Sequence, residues 1–404
     1  MLCRNLIKIA ERRFGPRYFY VDSSDNLGNQ QVLFNRFISC CDIVLELPGR
    51  KIFKNTNNST PIIFFALGYL TNPYNFFAKF YHRLLGNNSI LCSSNSDLKI
   101  WSNLCAGIFK DMAYYLPWPL DTNMFKPRGY AGQAVMRKRF NIPASSPLIL
   151  YAGRISFAKN VHFLIKTFKE LLKIVPQSRL CLAGREDNKP YSGISFVQDK
   201  DYLEFIKHKC RNYGISDKVI FTGQLKREEL TFLYSTADIL INLTTDYGEN
   251  FGYAQVEAMA CATPVICTDW GGLKDTVIHG KTGYRIPTIL TDSGVTFDWQ
   301  KGLSFLIELL ADRKKLLTMS NNCIKHVKNN FSFERIGNLL EKIILDTLKR
   351  KIDNRPLYRL AQAKRHKFMG RFLDFLYEGV KDKDFDRRKY YNISAYSSDS
   401  FVNN

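Results

Sequence analysis

From Leu148 onward, short β-branched or apolar runs alternate with longer amphipathic stretches, a pattern that restricts the chain to a parallel sheet flanked by helices. The expected strands are LILYAG (148–153), RLCLAG (179–184), VIFTG (219–223), DILINL (238–243), TPVICT (263–268) and GYRIP (283–287). Between the first two, residues 161–175 set Phe163, Leu164, Phe168, Leu171 and Leu172 at helical spacing. The rear half therefore reads as a doubly wound α/β domain.

The front third is less regular. CDIVLEL (41–47), PIIFFAL (61–67), SILCSS (89–94) and MAYYLPW (112–118) have the continuous apolar character of buried strands, which fits a second α/β domain. Its usual opening strand and glycine-bearing turn are replaced by a basic, helix-like segment, NLIKIAERRF (5–14), so this domain is expected to be shortened. Residues 128–147 mix Gly, Pro and Ser with a short basic helix and mark the expected boundary. The expected organisation is thus an N-terminal Rossmann-like domain over 1–140, a C-terminal one over 141–350, and a basic helical tail with a disordered end over 351–404.

Composition bounds the partners. Hydrophobic residues make up 45% of the 404 and charged residues 24%, enough apolar material to bury two cores. The formal charge is +21, and residues 1–140 carry 18 Lys and Arg against 8 Asp and Glu, so anionic partners are expected. No nucleic-acid recognition module accompanies that charge, so nucleic acid is not an expected partner. No apolar run approaches the roughly 20 residues needed to cross a bilayer, and residues 1–10 lack the apolar stretch of a secretion signal, so a cytoplasmic location is expected. The 10 cysteines include no CxxC pair or zinc spacing and read as reduced, mostly buried thiols.

The chemistry concentrates in YGENFGYAQVEAMACATPVICTDWGGLKDTV (247–277). Glu249 falls in the loop before a helix and Glu257 on its second turn, so the two carboxylates can meet different hydroxyl-bearing parts of one ligand. The helix start beside Gly252 offers free N–H groups and a positive dipole end to a diphosphate. Gly271 and Gly272 follow the next strand, where bare backbone can approach a phosphate. An ordinary core helix with two solvated glutamates is the competing reading, outweighed by the turn glycines and polar groups at the same strand ends. A second cluster, GRISFAKN (153–160), follows the first strand of the domain, so that Arg154 and Lys159 can reach a diphosphate across the carboxyl ends of the strands. Trp270 is read as a wall of the site or as packing, at equal weight.

These motifs, with CSSNSDLKIW (92–101), LPWPLDTNMFKP (116–127), VIFTGQLKREEL (219–230) and LYSTADILIN (233–242), resemble the retaining glycosyltransferases of group 1, or family 4. The resemblance spans roughly residues 89–350. It implies the GT-B fold, two Rossmann-like domains facing a central cleft. It implies that Glu249 meets the donor sugar and is the catalytic residue, that Glu257 holds the ribose, and that Arg154 and Lys159 bind the diphosphate. It also implies that Gly252, Gly271, Gly272 and the backbone around Leu273 line the donor, with no metal and no cofactor beyond the nucleotide sugar. The implied reaction moves a sugar from a UDP- or GDP-linked donor to a glycan or lipid-linked acceptor with retained configuration, as in polysaccharide or lipopolysaccharide assembly. A lipid-linked acceptor would suit a peripheral place on the inner face of an anionic membrane, through residues 5–14 or 359–380.

The chain departs from the family at the front. Leu67 and Gly68 stand where many relatives place a histidine, and His82, in KFYHRLL, reads as a helix residue of structural or surface role. That departure motivates the alternative function, a catalytically impaired nucleotide-sugar-binding relative acting as a partner module. An epimerase is disfavoured by the Glu249/Glu257 segment. DKD (199–201) and DFD (384–386) are read as solvated charge rather than metal sites, and Cys261 and Cys267 as small buried hydrophobes.

Overall fold

The computed structural model of the chain describes residues 2–15, 41–46, 60–65, 88–103, 111–186, 202–246, 249–291 and 294–350. These described residues fall into two compact units, one drawn from those up to Pro119 and from 330–350, the other from Leu120–Asn329. Each carries its own parallel sheet with helices, so the fold is α/β with two Rossmann-like domains.

In the first unit, β1 (Val44–Glu46), β2 (Ile62–Phe65), β3 (Ser89–Cys92) and β4 (Ala113–Tyr115) pair in that order, all parallel, with Val44 opposite Ile62 and Ile90 opposite Ala113. Each strand lies inside an expected run. Ile63, Ile90, Leu91 and Cys92 are completely buried, which is why these runs are continuously apolar instead of alternating. The chain opens with α1 (Leu2–Phe14), matching the expected helix. After β3 comes α2 (Asn95–Asn103), whose first turn is held by the Ser94 hydroxyl accepting the Asp97 N–H at 3.0 Å.

The second unit begins with α3 (Tyr130–Arg139) and β5 (Leu148–Ala152), then a 3-10 turn at Phe157–Lys159 and α4 (Val161–Leu172). Then follow β6 (Arg179–Ala183), α5 (Tyr202–Asn212), β7 (Val219–Gly223), α6 (Arg227–Thr236) and β8 (Ile239–Asn242). Next come α7 (Tyr253–Ala260), β9 (Val265–Thr268), α8 (Leu273–Thr276) and β10 (Gly283–Ile286). The hairpin β11 (Thr288–Thr291) and β12 (Gly294–Phe297), α9 (Trp299–Ala311) and α10 (Arg313–Phe331) complete the series. All six expected strands are present, and the hairpin was not anticipated. Six parallel strands run in the order β10-β9-β8-β5-β6-β7. The first strand of the domain is therefore central, and its loop and that of β8 diverge to opposite sides, which creates a topological switch point where open α/β sheets hold ligands. On α4 the buried stripe is Val161, Leu164, Ile165, Phe168 and Leu171, with Phe163 and Leu172 at its edge. It packs on Ile149, Leu180 and Ile239 of the sheet.

The final described helix, α11 (Phe333–Leu348), belongs to the first unit and packs against α1. A Cβ on Gly337 would stand 3.4 Å from Ile9 Cγ2, so the two helices meet where one has no side chain. Leu6, Ile9 and Ala10, one face of α1 at helical spacing, are 1–3% exposed. The apolar face expected to rest on a membrane is thus consumed inside the unit; Arg4 and Lys8 stay outward, while Arg12 lies over the Phe333 ring and Arg13 pairs with Glu341 on α11. The units divide after Pro119, whereas composition pointed to 128–147. The physical reason is that this stretch docks on α6: the Arg128 N–H donates to Ser235 Oγ at 3.0 Å, Arg128 Nε to Thr231 Oγ1 at 3.3 Å, and Arg139 pairs with Glu229 at 2.6 Å. The segments 359–380 and 390–404 lie outside the described residues, as do Leu67, Gly68, His82 and both acidic triplets.

Candidate functional site

Three loops at the carboxyl ends of adjacent strands, after β5, β8 and β9, are stitched into one wall. Thr244 Oγ1 donates to the Ala158 carbonyl at 2.9 Å, and Asn160 Nδ2 donates to Leu243 O and Thr245 Oγ1 at 2.9 and 3.0 Å. Asn160 adopts φ 53°, a left-handed conformation that asparagine tolerates, and caps α4 there. From the third loop, Trp270 Nε1 donates to Asp246 O at 3.0 Å and the Gly272 N–H to Glu249 O at 2.9 Å. Trp270 is 2% exposed, so it acts by packing and by pinning the Asp246 backbone.

At the switch point Lys159 is 8% exposed, and its Nζ lies 2.6 Å from Glu249 Oε2 and 3.3 Å from Asp246 Oδ2. Burial alone would lower its pKa, but the two carboxylates outweigh that and hold the ammonium well above the ordinary range. The Lys159 ammonium is thus already engaged by two carboxylates on neighbouring loop positions. Arg154 is half-buried on the same loop. Its carbonyl accepts the Tyr151 hydroxyl at 2.6 Å, and Tyr151, raised by burial, feels the charges of Lys159, Glu249 and Arg154 together. Three of the expected residues therefore share one field. Asp246 and Tyr151 were not singled out from sequence; an acid three residues before Glu249 was the available signal for the first.

Glu257 is buried on α7 at 5% exposure. Its Oε2 accepts the Tyr234 hydroxyl at 2.9 Å, while its Oε1 is buried with no partner. Burial lifts its pKa to about 7, with the Tyr234 bond and the Arg227 charge pulling the other way. An unfilled acceptor on a buried carboxyl is what a ligand hydroxyl would satisfy.

The glycines act through close backbone approach. Gly252 caps α7 at φ 79°, and a Cβ there would stand 2.7 Å from Leu273 Cδ2. A Cβ on Gly271, at φ 48°, would stand 2.8 Å from Glu249 O, and one on Gly272 only 1.9 Å from Asn250 O. The pair thus lets the third loop lie directly on the Glu249–Asn250 backbone. The amides of Gly272 and Leu273 donate to Glu249 O and Trp270 O, at 2.9 and 3.0 Å, and so serve the loop itself. Leu273 is completely buried against this turn.

Elsewhere, Cys261 and Cys267 are buried, and burial pushes the Cys261 thiol up to about 12 and Cys267 up as well, which makes both poor nucleophiles. Among the described residues no group of three or more His, Cys, Asp or Glu is placed to hold a metal, and no helix is long and apolar enough to cross a membrane.

With this geometry in view, residues 133–293 match the family model described as glycosyl transferases group 1, which takes in most of the second unit but less than half of the chain. The chain is 30% identical over 191 residues to mannosylfructose-phosphate synthase of Agrobacterium fabrum, covering 47% of this chain and 40% of that one. It is 28% identical over 200 residues to D-inositol 3-phosphate glycosyltransferase of Xylanimonas cellulosilytica, covering 49% and 43%. The matched region thus spans about half the length of these curated relatives. Among solved structures, HepE of Anabaena in complex with UDP and glucose superposes with a TM-score of 0.59 at 16% identity, over 80% of this chain and 83% of that one. Sucrose-phosphate synthase of Thermosynechococcus elongatus gives 0.58 at 23% identity, over 82% and 81%. The fold is thus that of GT-B glycosyltransferases.

Proposed function

We propose that the chain is a retaining glycosyltransferase that moves a sugar from a UDP- or GDP-linked donor to a glycan or lipid-linked acceptor, with no metal ion. The observation that carries this reading is the assembly at the switch point of Lys159, Glu249 and Asp246 beside Arg154, with the unfilled acceptor of Glu257 on the helix that follows. In the reading, Lys159 and Arg154 take the diphosphate and stabilise the charge that builds on it as the sugar departs. Glu249, released from Lys159, accepts sugar hydroxyls, and Glu257 accepts a ribose hydroxyl. The positive end of α7 at Gly252 adds to the field on the phosphates.

The HepE complexes hold UDP or UDP-glucose, and relatives named as glycosyltransferases match this segment, which together favour a nucleotide-sugar donor. For location we propose the cytoplasm, with peripheral contact at an anionic membrane face carried by the outward cations of α1.

Purified Glu249→Ala should still fold, with Asp246 remaining as the partner of Lys159, and should lose transfer from UDP- or GDP-linked sugars. Equal activity on the same acceptor would remove Glu249 from the mechanism. Tight UDP or GDP binding without turnover over a broad acceptor panel would instead favour a nucleotide-sugar-binding module.

A further inference from the structure

Resting on the nucleotide-donor reading, we infer that Arg227 reads the donor base and selects bases that carry a carbonyl oxygen on the edge away from ribose, uracil or guanine, over the amino-bearing cytosine and adenine. Among the buried polar atoms of the second unit that have no hydrogen-bond partner are Glu257 Oε1, Arg227 Nε and Arg227 Nη2. Their two side chains come from packed helices, α6 and α7, and the Arg227 charge reaches the Glu257 carboxyl. Arg227 and Tyr234 stand two turns apart on one face of α6, about 10 Å along its axis, and Tyr234 is the residue that holds Glu257 by its other oxygen.

The guanidinium is also oriented. Arg227 lies over the Phe125 ring, 5.6 Å from its centroid, and the same ring packs against Tyr234 at 6.4 Å. A planar group seated on an aromatic face keeps its N–H edge fixed. Unfilled donors on Arg227 and an unfilled acceptor on Glu257, linked through Phe125 and Tyr234, suit a ligand that is hydroxyl-donating at one end and acceptor-bearing at the other. A nucleoside has that polarity when ribose faces Glu257 and the base edge faces Arg227.

Guanidinium has only donors. It therefore pairs with O4 of uracil or O6 of guanine, as arginine pairs with guanine in nucleic-acid grooves. The amino group at the corresponding position of cytosine or adenine presents a donor to a donor, so the bond to that position is lost.

The test is calorimetric binding of UDP, CDP, GDP, ADP and inorganic pyrophosphate to the full chain and to Arg227→Gln and Arg227→Lys, with melting curves as a folding control. The parent should bind UDP over CDP, or GDP over ADP, by about ten-fold or more, the scale of a charge-assisted hydrogen bond. Arg227→Gln, whose amide oxygen can accept from an amino group, should bring that ratio near one with pyrophosphate affinity unchanged, and Arg227→Lys, still a cation with only donors, should keep part of the preference. A ratio unchanged in both variants, or an equal loss for all five ligands, would overturn the inference while leaving the donor site standing. A folded parent that binds none of the nucleotides would overturn the donor reading itself.

Discussion

Replacing Glu257 by Gln removes one buried charge at nearly constant shape, and the outcome follows from the direction of its pKa shift. Burial lifts that pKa from 4.5 to about 7 against the smaller opposing effects of Tyr234 and Arg227. Between those values the folded chain binds more protons than the unfolded chain, so stability falls as pH rises. The contribution is fully present below the unfolded pKa and is lost as pH passes the folded one. A shift of that size corresponds to about 3 kcal/mol. Glu257→Gln cannot ionise and keeps an oxygen for the Tyr234 hydroxyl. It should match the parent at about pH 4.5 and exceed it by up to about 3 kcal/mol at pH 8. Urea unfolding of both proteins over this range checks it, because titration of every other group cancels in the difference. A parent-to-variant difference that stays flat with pH would refute the assigned electrostatics.

Other perturbations test the wall of loops. Lys159→Met leaves the Glu249 and Asp246 carboxylates without their cation and should cost about 3–5 kcal/mol, much of it recovered when Glu249→Gln and Asp246→Asn are added; urea unfolding reads both. Gly272→Ala drives a Cβ toward Asn250 O, 1.9 Å away, and should lower the melting temperature far more than Gly280→Ala, where φ is 76° but nothing lies within 4 Å and only about 1 kcal/mol of backbone strain is expected.

Much of the second unit was legible in the sequence because its signals are local. Parallel strands buried on both faces announce themselves as apolar runs, and Glu249, Glu257 and the glycines crowd one loop, helix and strand. What escaped depended on contacts far along the chain. Asp246 matters through Lys159, 87 residues earlier, and the linker-like composition of 128–147 concealed contacts such as that of Arg128 with Thr231, 103 residues on. The apolar face of α1 looked free because its cover, α11, comes near the other end, where Arg13 meets Glu341 across 328 residues.

That last pairing bears on how the molecule is made. Among the described residues the second unit is one continuous stretch, Leu120–Asn329, and can close its core as soon as it is synthesised. Its neighbour is split in sequence: α1 and the four strands emerge first and must wait, with Leu6 and Ile9 uncovered, until Phe333–Leu348 arrives. Birth order and completion order are therefore reversed. A chain cut short before α11 would carry a finished rear half behind a front half with its apolar helix bare, the kind of surface that aggregates or draws in chaperones.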